Sequence, residues 1–476
     1  MIDLLISGGT LVTMDDNKRM ISDGGIAIEK GVIIDIGDNS DIIKKYDAKH
    51  VLDADKKVIL PGLIDTHGHA GHSMIKTIAE NEPNWGALVE SIYLRGVKEE
   101  FWYFDALLAS LERLKFGVTT GSTFLGGGSG AYRVDDPKYA VLHADAVKEV
   151  GIRDIIGLGP VGRAPYKPRE YHYYEGEVTS RIVDFDGMMD TTRKIIEKYN
   201  DFSNLVTARM TVSSISPNLD DLSNEDKFIV RKQAREIREL ADESDRGILA
   251  HAGGGQIKSA LELNLLGSKT MLIHCGGLSQ EEINILKETD TKVSHCPRAR
   301  SIMIRRCPVV ELLDAGVVVA LGTDGSAPDR TFDIFSDMRT SQTLQRHYFH
   351  DSSYMPPGKV LEMATIDAAK ALGVEKEIGS LEIEKRADII IVNMNKAHLT
   401  PRFMIPQRLV YETYGQDVET AIIDGKIIMD DRRVLTIKEN WVLDQAQRVA
   451  EEVVELNNLG KYMDLPEGFW GSSKYK

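Results

Sequence analysis

Short apolar runs, broken by Gly, Asp and Asn, occupy both ends of the chain. In residues 1–57 they predict several small strands, and β-rich segments return at 378–392 and 418–429. Strands this short cannot close a core of their own. We therefore expect residues 1–57 and 375–476 to form one small β-sandwich domain. Its C-terminal part also carries a helical pattern and a tail.

The middle of the chain, residues 58–374, alternates apolar runs with amphipathic helical patterns, which is typical of parallel βαβ units. Eight runs predict strands at 58–67, 118–124, 154–158, 205–212, 247–251, 271–274, 292–295 and 317–321. Eight strands with intervening helices predict an α/β fold, a (β/α)8 TIM barrel. In that fold the chemistry lies where the strands end and the loops begin.

Composition and charge limit the partners and the compartment that we expect for the protein. The net charge of −15 argues against a nucleic acid or an anionic membrane as partner, because either would favour a basic surface. No apolar run is long enough to span a bilayer, and the first ten residues have the pattern of a strand rather than of a signal peptide. Three cysteines fit a reducing compartment. We therefore expect a soluble, cytoplasmic protein.

The first predicted barrel strand ends in His67-Gly68-His69. Residues two apart on a strand point to the same face, so the two imidazoles project together. Two neutral imidazoles supply half of a zinc-type site, and we expect Gly68 to leave room for the metal. A single His-x-His pair is weak evidence, because chance alone produces such pairs.

Polar residues stand at the ends of further predicted strands. Each could be a buried core histidine or a cap, but all belong to one face of one barrel, and this convergence favours a metal site. The set is His67, His69, His251, His274, His295 and Asp324. Cys275 and Cys296 directly follow histidines and are better interpreted as small buried hydrophobes than as ligands.

The motifs at these positions resemble the amidohydrolase superfamily. They are most similar to its aminohydrolase branch, which contains the S-adenosylhomocysteine/methylthioadenosine deaminases and the triazine hydrolases. The motifs are Pro-Gly-Leu-Ile-Asp-Thr-His-Gly-His at 61–69, the single His251, Leu-Ile-His-Cys at 272–275, Ser-His-Cys-Pro at 294–297 and Gly-Thr-Asp-Gly at 322–325. The resemblance covers nearly the whole chain.

The resemblance implies one divalent metal, zinc or alternatively iron, bound by His67, His69, His251 and Asp324. It also implies that a metal-activated hydroxide attacks a C–N bond of a nitrogen-rich small molecule, and that the enzyme is a homo-oligomer, a dimer or a tetramer. Asp324 then relays the proton, His274 orients the attacked group, and His295 lies near the substrate. Predicted strand four lacks the lysine that would bridge a second metal.

The chain departs from that branch after the strand-five histidine. Deaminases of the branch place a glutamate three residues later, where it protonates a ring nitrogen, but this chain has Gly254. One alternative is therefore the hydrolysis of an amide, a cyclic ureide or a carbon–halogen bond, with Asp324 as sole proton carrier. A second alternative is a non-catalytic binding protein, which the intact ligand set counts against.

A second departure follows His295. Arg298 and Arg300 occupy the loop after strand seven and could clamp an anionic substrate. The alternative is that these arginines lie on the surface or at a subunit contact, so the sequence leaves both interpretations open.

Overall fold

The fold was analysed in a computed structural model that describes residues 1–125, 133–175, 177–213, 215, 218–299 and 305–473. Its largest sheet has eight strands that pair in parallel in chain order. They are Leu63–His69, Val118–Phe124, Arg153–Leu158, Val206–Val212, Ile248–Gly253, Thr270–Gly276, Lys292–His295 and Val319–Leu321. We call them barrel strands one to eight.

Hydrogen bonds join barrel strand eight back to barrel strand one. The Thr66 hydroxyl donates to the carbonyl oxygen of Leu321 at 2.7 Å, and the Asp324 N–H donates to the carbonyl oxygen of His67 at 2.8 Å. The sheet is therefore wrapped into a nearly closed barrel, and the predicted (β/α)8 architecture is confirmed.

Helices cover the outside of this barrel. Their apolar faces pack on the strands, as expected for amphipathic helices between parallel strands. The helices that follow barrel strands one to eight are Trp85–Arg95, Glu99–Lys115, Pro137–Val150, Phe185–Lys198, Asn224–Glu243, Ile257–Glu262, Gln280–Glu288, Val309–Ala315, Ile334–Phe349, Pro357–Met363 and Ile366–Ala371. Among the described residues, no helix is long and apolar enough to cross a membrane.

The end of the barrel opposite the predicted site is filled with apolar side chains. Ile64, Leu249 and Met271 from the strands share a buried cluster with Ala368 and Leu372. The last two residues belong to helix Ile366–Ala371 and its C-cap, so this helix covers the barrel floor. A barrel closed at this end leaves the C-terminal ends of the strands as the place for a site.

Two sheets lie outside the barrel. A seven-stranded sheet joins both ends of the chain, and a four-stranded sheet comes from the first 53 residues. In sheet order, the first contains Arg433–Val434, Lys426–Asp430, Val418–Ile423, Ile389–Asn393, Lys57–Pro61, Thr10–Val12 and Met20–Ile21, and the second contains Val32–Asp38, Gly24–Glu29, Ile2–Ser7 and Ala48–Asp53. Short helices Asn39–Lys45 and Ile405–Tyr411 accompany them.

The predicted strand 58–67 is wrong as a single element. Lys57–Pro61 pairs with Ile389–Asn393 in the seven-stranded sheet, and only Leu63–His69 belongs to the barrel. Gly62 separates them, and a Cβ atom there would lie 2.0 Å from Thr119 Oγ1. Both strands are almost fully buried, so one continuous apolar run conceals the change of sheet.

Two further elements lie beside the barrel. Arg169–Glu175 and Glu177–Val183 form an antiparallel hairpin after barrel strand three. Helix Glu439–Leu456 packs against the barrel helix Glu99–Lys115. Its buried residues recur at helical spacing, at Val442, Ala446, Val449 and Val453, so its apolar face is covered by the barrel.

Candidate metal centre

Barrel strand one places His67 and His69 on the inner face of the barrel. Both side chains are buried, and their ring centroids lie 4.6 Å apart. Gly68 alternates to the outer face, where a Cβ atom would lie 2.3 Å from Arg113 Nη2. The expectation that Gly68 leaves room for a metal is therefore wrong, because its missing side chain makes room for Arg113.

Barrel closure brings Asp324 to the two histidines of strand one. Asp324 Oδ1 lies 3.0 Å from His69 Nε2 and 3.6 Å from His67 Nε2. His251, from barrel strand five, places its Nε2 atom 3.2 Å from His67 Nε2. The four residues that the resemblance implies as ligands therefore converge, although they span 257 positions from 67 to 324 in the chain.

These separations fit a divalent cation. Zinc–nitrogen bonds of about 2.05 Å at tetrahedral angles place neighbouring ligand atoms roughly 3.3 Å apart. The potential ligand atoms of His67, His69 and Asp324 lie within 4.8 Å of one another, as do those of His67, His251 and His274. The donor set of imidazoles and one carboxylate matches the chemistry of a catalytic zinc or iron site.

His274 stands at the end of barrel strand six, on the other side of the carboxylate. Its Nε2 atom lies 3.7 Å from Asp324 Oδ2. The closest contacts of His67 and His69 are with the other carboxylate oxygen, Oδ1. His274 and Asp324 have φ angles of 73° and 66°, a left-handed conformation that is uncommon for residues with a side chain. Such backbone outliers cluster at functional sites.

Burial sets the charge of the donor groups. It lowers the pKa of His67 to about 4 and, together with the neighbouring imidazoles, holds the pKa of His251 well below its ordinary value. For Asp324, burial acts to raise the pKa, but hydrogen bonds from His67 and His69 outweigh it and hold the pKa well below its usual range. At neutral pH these imidazoles are neutral and the carboxylate is charged, which are the metal-binding forms.

His295 lies at the end of barrel strand seven and is buried. Among the described residues, neither of its ring nitrogens has a hydrogen-bond partner. Burial, reinforced by the charge of Arg306, lowers its pKa to about 3. A neutral imidazole with two unused nitrogens at a strand end is compatible with a contact to substrate, which stays a prediction.

Arg298 has protein partners. Its Nη2 and Nε atoms lie 2.7 and 3.1 Å from the two carboxylate oxygens of Asp337, and it also donates to the carbonyl oxygen of Thr331. Burial raises the pKa of Asp337 to about 6 against the opposing charge of Arg298. This geometry favours a structural role over an anion clamp. Arg300 lies outside the described residues.

The loops after barrel strands five and six are pressed together at Gly254. A Cβ atom there would lie 2.1 Å from the carbonyl oxygen of Gly277, so this backbone cannot hold a longer residue without moving. Gly254 N–H donates to the carbonyl oxygen of Gly276, and Gln256 Oε1 accepts from Gly253 N–H. The position of the usual deaminase glutamate is therefore filled by neighbouring backbone.

Sequence reasoning missed Asp105, which supports the loop after strand one. His72 stacks on His69, with ring centroids 5.0 Å apart and planes 17° apart. The Asp105 carboxylate accepts hydrogen bonds from the N–H groups of Gly71 and Ser73, and burial raises the pKa of Asp105 to about 6. A carboxylate inside a helix gives no spacing signal that links it to a loop more than thirty residues earlier.

Relatives of known activity span almost the same length as this chain. It is 31% identical over 469 residues to a 5'-deoxyadenosine deaminase from Methanosarcina acetivorans, covering 96% of this chain and 100% of that protein. It is 28% identical over 470 residues to 5-methylthioadenosine/S-adenosylhomocysteine deaminase 1 from Syntrophus aciditrophicus, covering 95% and 98%.

Solved structures share the fold at lower identity. A zinc-bound adenosine deaminase from Xanthomonas campestris superposes with a TM-score of 0.81 at 20% identity, covering 95% of this chain and 99% of that one. A zinc complex of atrazine chlorohydrolase from Arthrobacter aurescens superposes with a TM-score of 0.78 at 18% identity, covering 94% and 100%. The sequence pattern of the Amidohydrolase family matches residues 58–428. The chain therefore belongs to the amidohydrolase family and is a metal-dependent hydrolase of C–N bonds in nitrogenous small molecules.

Proposed function

We propose that the protein is a mononuclear, zinc-dependent aminohydrolase that removes an amino group from a nitrogen-rich heterocycle of the nucleoside type. The observation that carries the proposal is the convergence of His67, His69, His251 and Asp324 at one end of the barrel. The activity of the relatives supports the substrate class. Iron is the alternative metal, because the same ligands suit both ions.

A divalent cation held by these ligands would lower the pKa of a coordinated water towards neutrality and so supply a hydroxide nucleophile. Asp324 supplies the proton path. Its Oδ1 atom accepts a hydrogen bond from Gly325 N–H and lies nearest His69, which leaves Oδ2 to take the proton and pass it to the leaving nitrogen. His274 Nε2, beside Oδ2, orients the attacked group.

A single metal is proposed because barrel strand four offers no bridging lysine. The strand reads Val-Thr-Ala-Arg-Met-Thr-Val over Val206–Val212. Its one cationic residue, Arg209, donates from Nη2 to the carbonyl oxygen of Leu372 at 2.5 Å. Leu372 caps the helix on the barrel floor, so Arg209 is directed away from the metal ligands.

Gly254 favours a second candidate function. Adding water to an aromatic ring carbon requires a proton donor for the adjacent nitrogen, and position 254 has neither a carboxylate nor space for one. Hydrolysis of an amide, a cyclic ureide or a carbon–halogen bond needs no such ring protonation. Asp324 would then carry every proton in the reaction.

Ammonia release separates the two candidates. The metal-replete enzyme is assayed against purine nucleosides, pterins, triazines and amidines, and in parallel against amides, cyclic ureides and chlorinated heterocycles. Ammonia from an aromatic amine that is lost in Asp324→Asn supports the first proposal. Turnover confined to the second panel supports the alternative. Activity that survives in Asp324→Asn overturns the role of Asp324, and a folded, zinc-loaded protein inactive on both panels overturns the aminohydrolase assignment.

A further inference from the structure

We propose that Arg113, acting through Asp65, is a positioning residue that holds Asp324 and His67 in their metal-binding geometry. Arg113 lies on the outer helix Glu99–Lys115, and within the described part of the chain its guanidinium donates hydrogen bonds to Asp65 and Thr123 rather than to a proposed ligand. The inference rests on the roles of Asp324 and His67 proposed above.

The link begins at Asp65, which is fully buried on barrel strand one. Arg113 Nε and Nη2 lie 3.1 and 3.0 Å from Asp65 Oδ2. Asp65 also accepts two hydrogen bonds of 2.9 Å from Thr323, one from its N–H group and one from its hydroxyl. One carboxylate therefore ties an outer helix to the residue directly before Asp324.

The same carboxylate holds both ends of the barrel closure. Asp65 lies two residues before His67, and its Oδ1 atom lies 3.4 Å from His67 N–H. The left-handed backbone of Asp324, with φ of 66°, persists only where its neighbours hold it. If the Asp65–Thr323 bonds loosen, the Asp324 carboxylate is free to move relative to the imidazole of His67.

Two glycines make the path for Arg113. A Cβ atom at Gly68 would lie 2.3 Å from Arg113 Nη2, and one at Gly121 would lie 2.8 Å from Nη1. The ring of Phe332 covers the guanidinium, with its centroid 4.4 Å from Cζ. The guanidinium is therefore enclosed between barrel strands one and two, where a planar, rigid group keeps one orientation.

A second set of contacts fixes the other side of the guanidinium. Arg113 Nη1 donates to Thr123 Oγ1 at 2.7 Å, and Thr123 donates to Asp154 Oδ1 at 3.0 Å. His143 Nε2 lies 2.8 Å from Asp154 Oδ2. The network thus joins barrel strands one, two, three and eight behind the metal ligands. Fully connected buried networks specify a unique geometry, and partly broken ones lose it.

Arg113→Lys tests the inference because it keeps the positive charge and removes the planar guanidinium, whose Nε and Nη2 both donate to Asp65. Outer groups that orient metal ligands change metal affinity or activity by about 10–100-fold when altered. We expect the zinc dissociation constant of Arg113→Lys, measured by chelator competition, to rise at least about tenfold. We also expect kcat to fall by a similar factor on a substrate identified with the panels described above, with KM changed less than about threefold.

Arg153→Lys is the matched control. Arg153 is equally buried and forked onto Asp388, but it begins barrel strand three, at the end of the barrel opposite the proposed ligands, and this pair ties the barrel to the outer sheet. We expect this variant to lose thermal stability while its zinc affinity and kcat stay within about twofold of wild type. Equal losses of zinc affinity in both variants would overturn the inference, because the effect would then be general destabilisation.

Thr323→Val provides a second route if Arg113→Lys does not fold. It removes the hydroxyl hydrogen bond to Asp65 and the 3.2 Å contact of the same hydroxyl with the carbonyl oxygen of Asp324, and it nearly keeps the shape of the side chain. We expect zinc affinity to weaken about threefold or more, and unchanged affinity in this folded variant contradicts the inference. The zinc measurement needs no substrate, so failure of the proposed reaction on every substrate panel leaves this test intact.

Discussion

The main-chain N–H of Asp324 donates a hydrogen bond of 2.8 Å to the carbonyl oxygen of His67. Together with the bond from the Thr66 hydroxyl to Leu321, this bond joins the last barrel strand to the first, and it places the Asp324 carboxylate beside the histidines of strand one. Closure of the barrel therefore also brings together the proposed ligands of strand one and Asp324. Perturbing either is expected to change the other.

Zinc should stabilise the folded protein. A ligand at 100 times its dissociation constant raises the free energy of unfolding by about 2.7 kcal/mol. We expect the metal-stripped protein to melt several degrees lower, and zinc to restore the melting temperature. Differential scanning fluorimetry and metal analysis measure both. His251→Ala should bind no zinc at stoichiometric concentration, whereas His295→Ala should bind it normally. Equal zinc binding in the two variants would contradict the proposed ligand set.

Gly254→Ala should destabilise the protein more than Gly253→Ala. The new methyl group would meet the carbonyl oxygen of Gly277 at 2.1 Å, whereas at position 253 the nearest atom, Gly276 O, lies at 3.3 Å. Overpacking of this kind costs about 1–3 kcal/mol of stability. Urea denaturation of both variants measures the difference. Similar midpoints would show that the loops after strands five and six separate easily, and that position 254 can accept a longer residue.

Acidification should destabilise the protein partly through His295. Its pKa is about 3 in the folded state against 6.5 for an ordinary histidine, so between these values the unfolded state binds a proton that the folded state does not. This stability is present above pH 6.5 and is lost as the pH falls towards 3, by about 1.4 kcal/mol per pH unit. His295→Leu should therefore show a shallower loss in denaturation measured from pH 7 to pH 4. A slope equal to that of wild type would refute the buried, neutral imidazole.

Asp388→Ala should lower the free energy of unfolding, because it removes an ion pair that joins the barrel to the outer sheet. Asp388 Oδ2 lies 2.6 Å from Arg153 Nε, and both side chains are at most 3% exposed. Removing one partner of a buried pair costs up to about 3–5 kcal/mol, and here the buried Arg153 would keep the more exposed Asp424 as its ion-pair partner. Glu100→Ala, which breaks the exposed pair with Arg448, is the control and should cost under about 1 kcal/mol. Comparable losses in thermal unfolding would contradict this ranking.

The barrel was predictable because its strands are buried on both faces. Such strands have apolar sequences. A polar residue at the end of such a run lies at the C-terminal face of the barrel, where sites form in this fold. His251, His274 and Asp324 were selected in this way, without any information on pairing, and the structure places them together, while their roles stay predictions. The prediction failed at residues 58–67, where Gly62 separates two buried strands of different sheets and the apolar run does not change.

The contacts behind the site could not be predicted. Arg113 lies 48 positions from Asp65 and sits in a helix whose pattern demands only an apolar face. Nothing in the sequence distinguishes this buried arginine from the solvated ones nearby. For Arg298 the sequence left a substrate contact and a structural role open, and tertiary packing pairs it with Asp337. Spacing identifies residues at strand ends, but long-range partners require the fold.

Gly62, the single residue between the outer sheet and barrel strand one, has a mechanical consequence. The strand Lys57–Pro61 passes directly into the strand that carries His67 and His69, and Gly62 N–H is itself bonded to the carbonyl oxygen of Asp388. The outer sheet is therefore continuous with the strand that carries two of the proposed metal ligands. We expect a fragment that begins at the barrel to leave the strand of His67 and His69 untethered at its N-terminal end, so the barrel should fold less stably without the outer sheet.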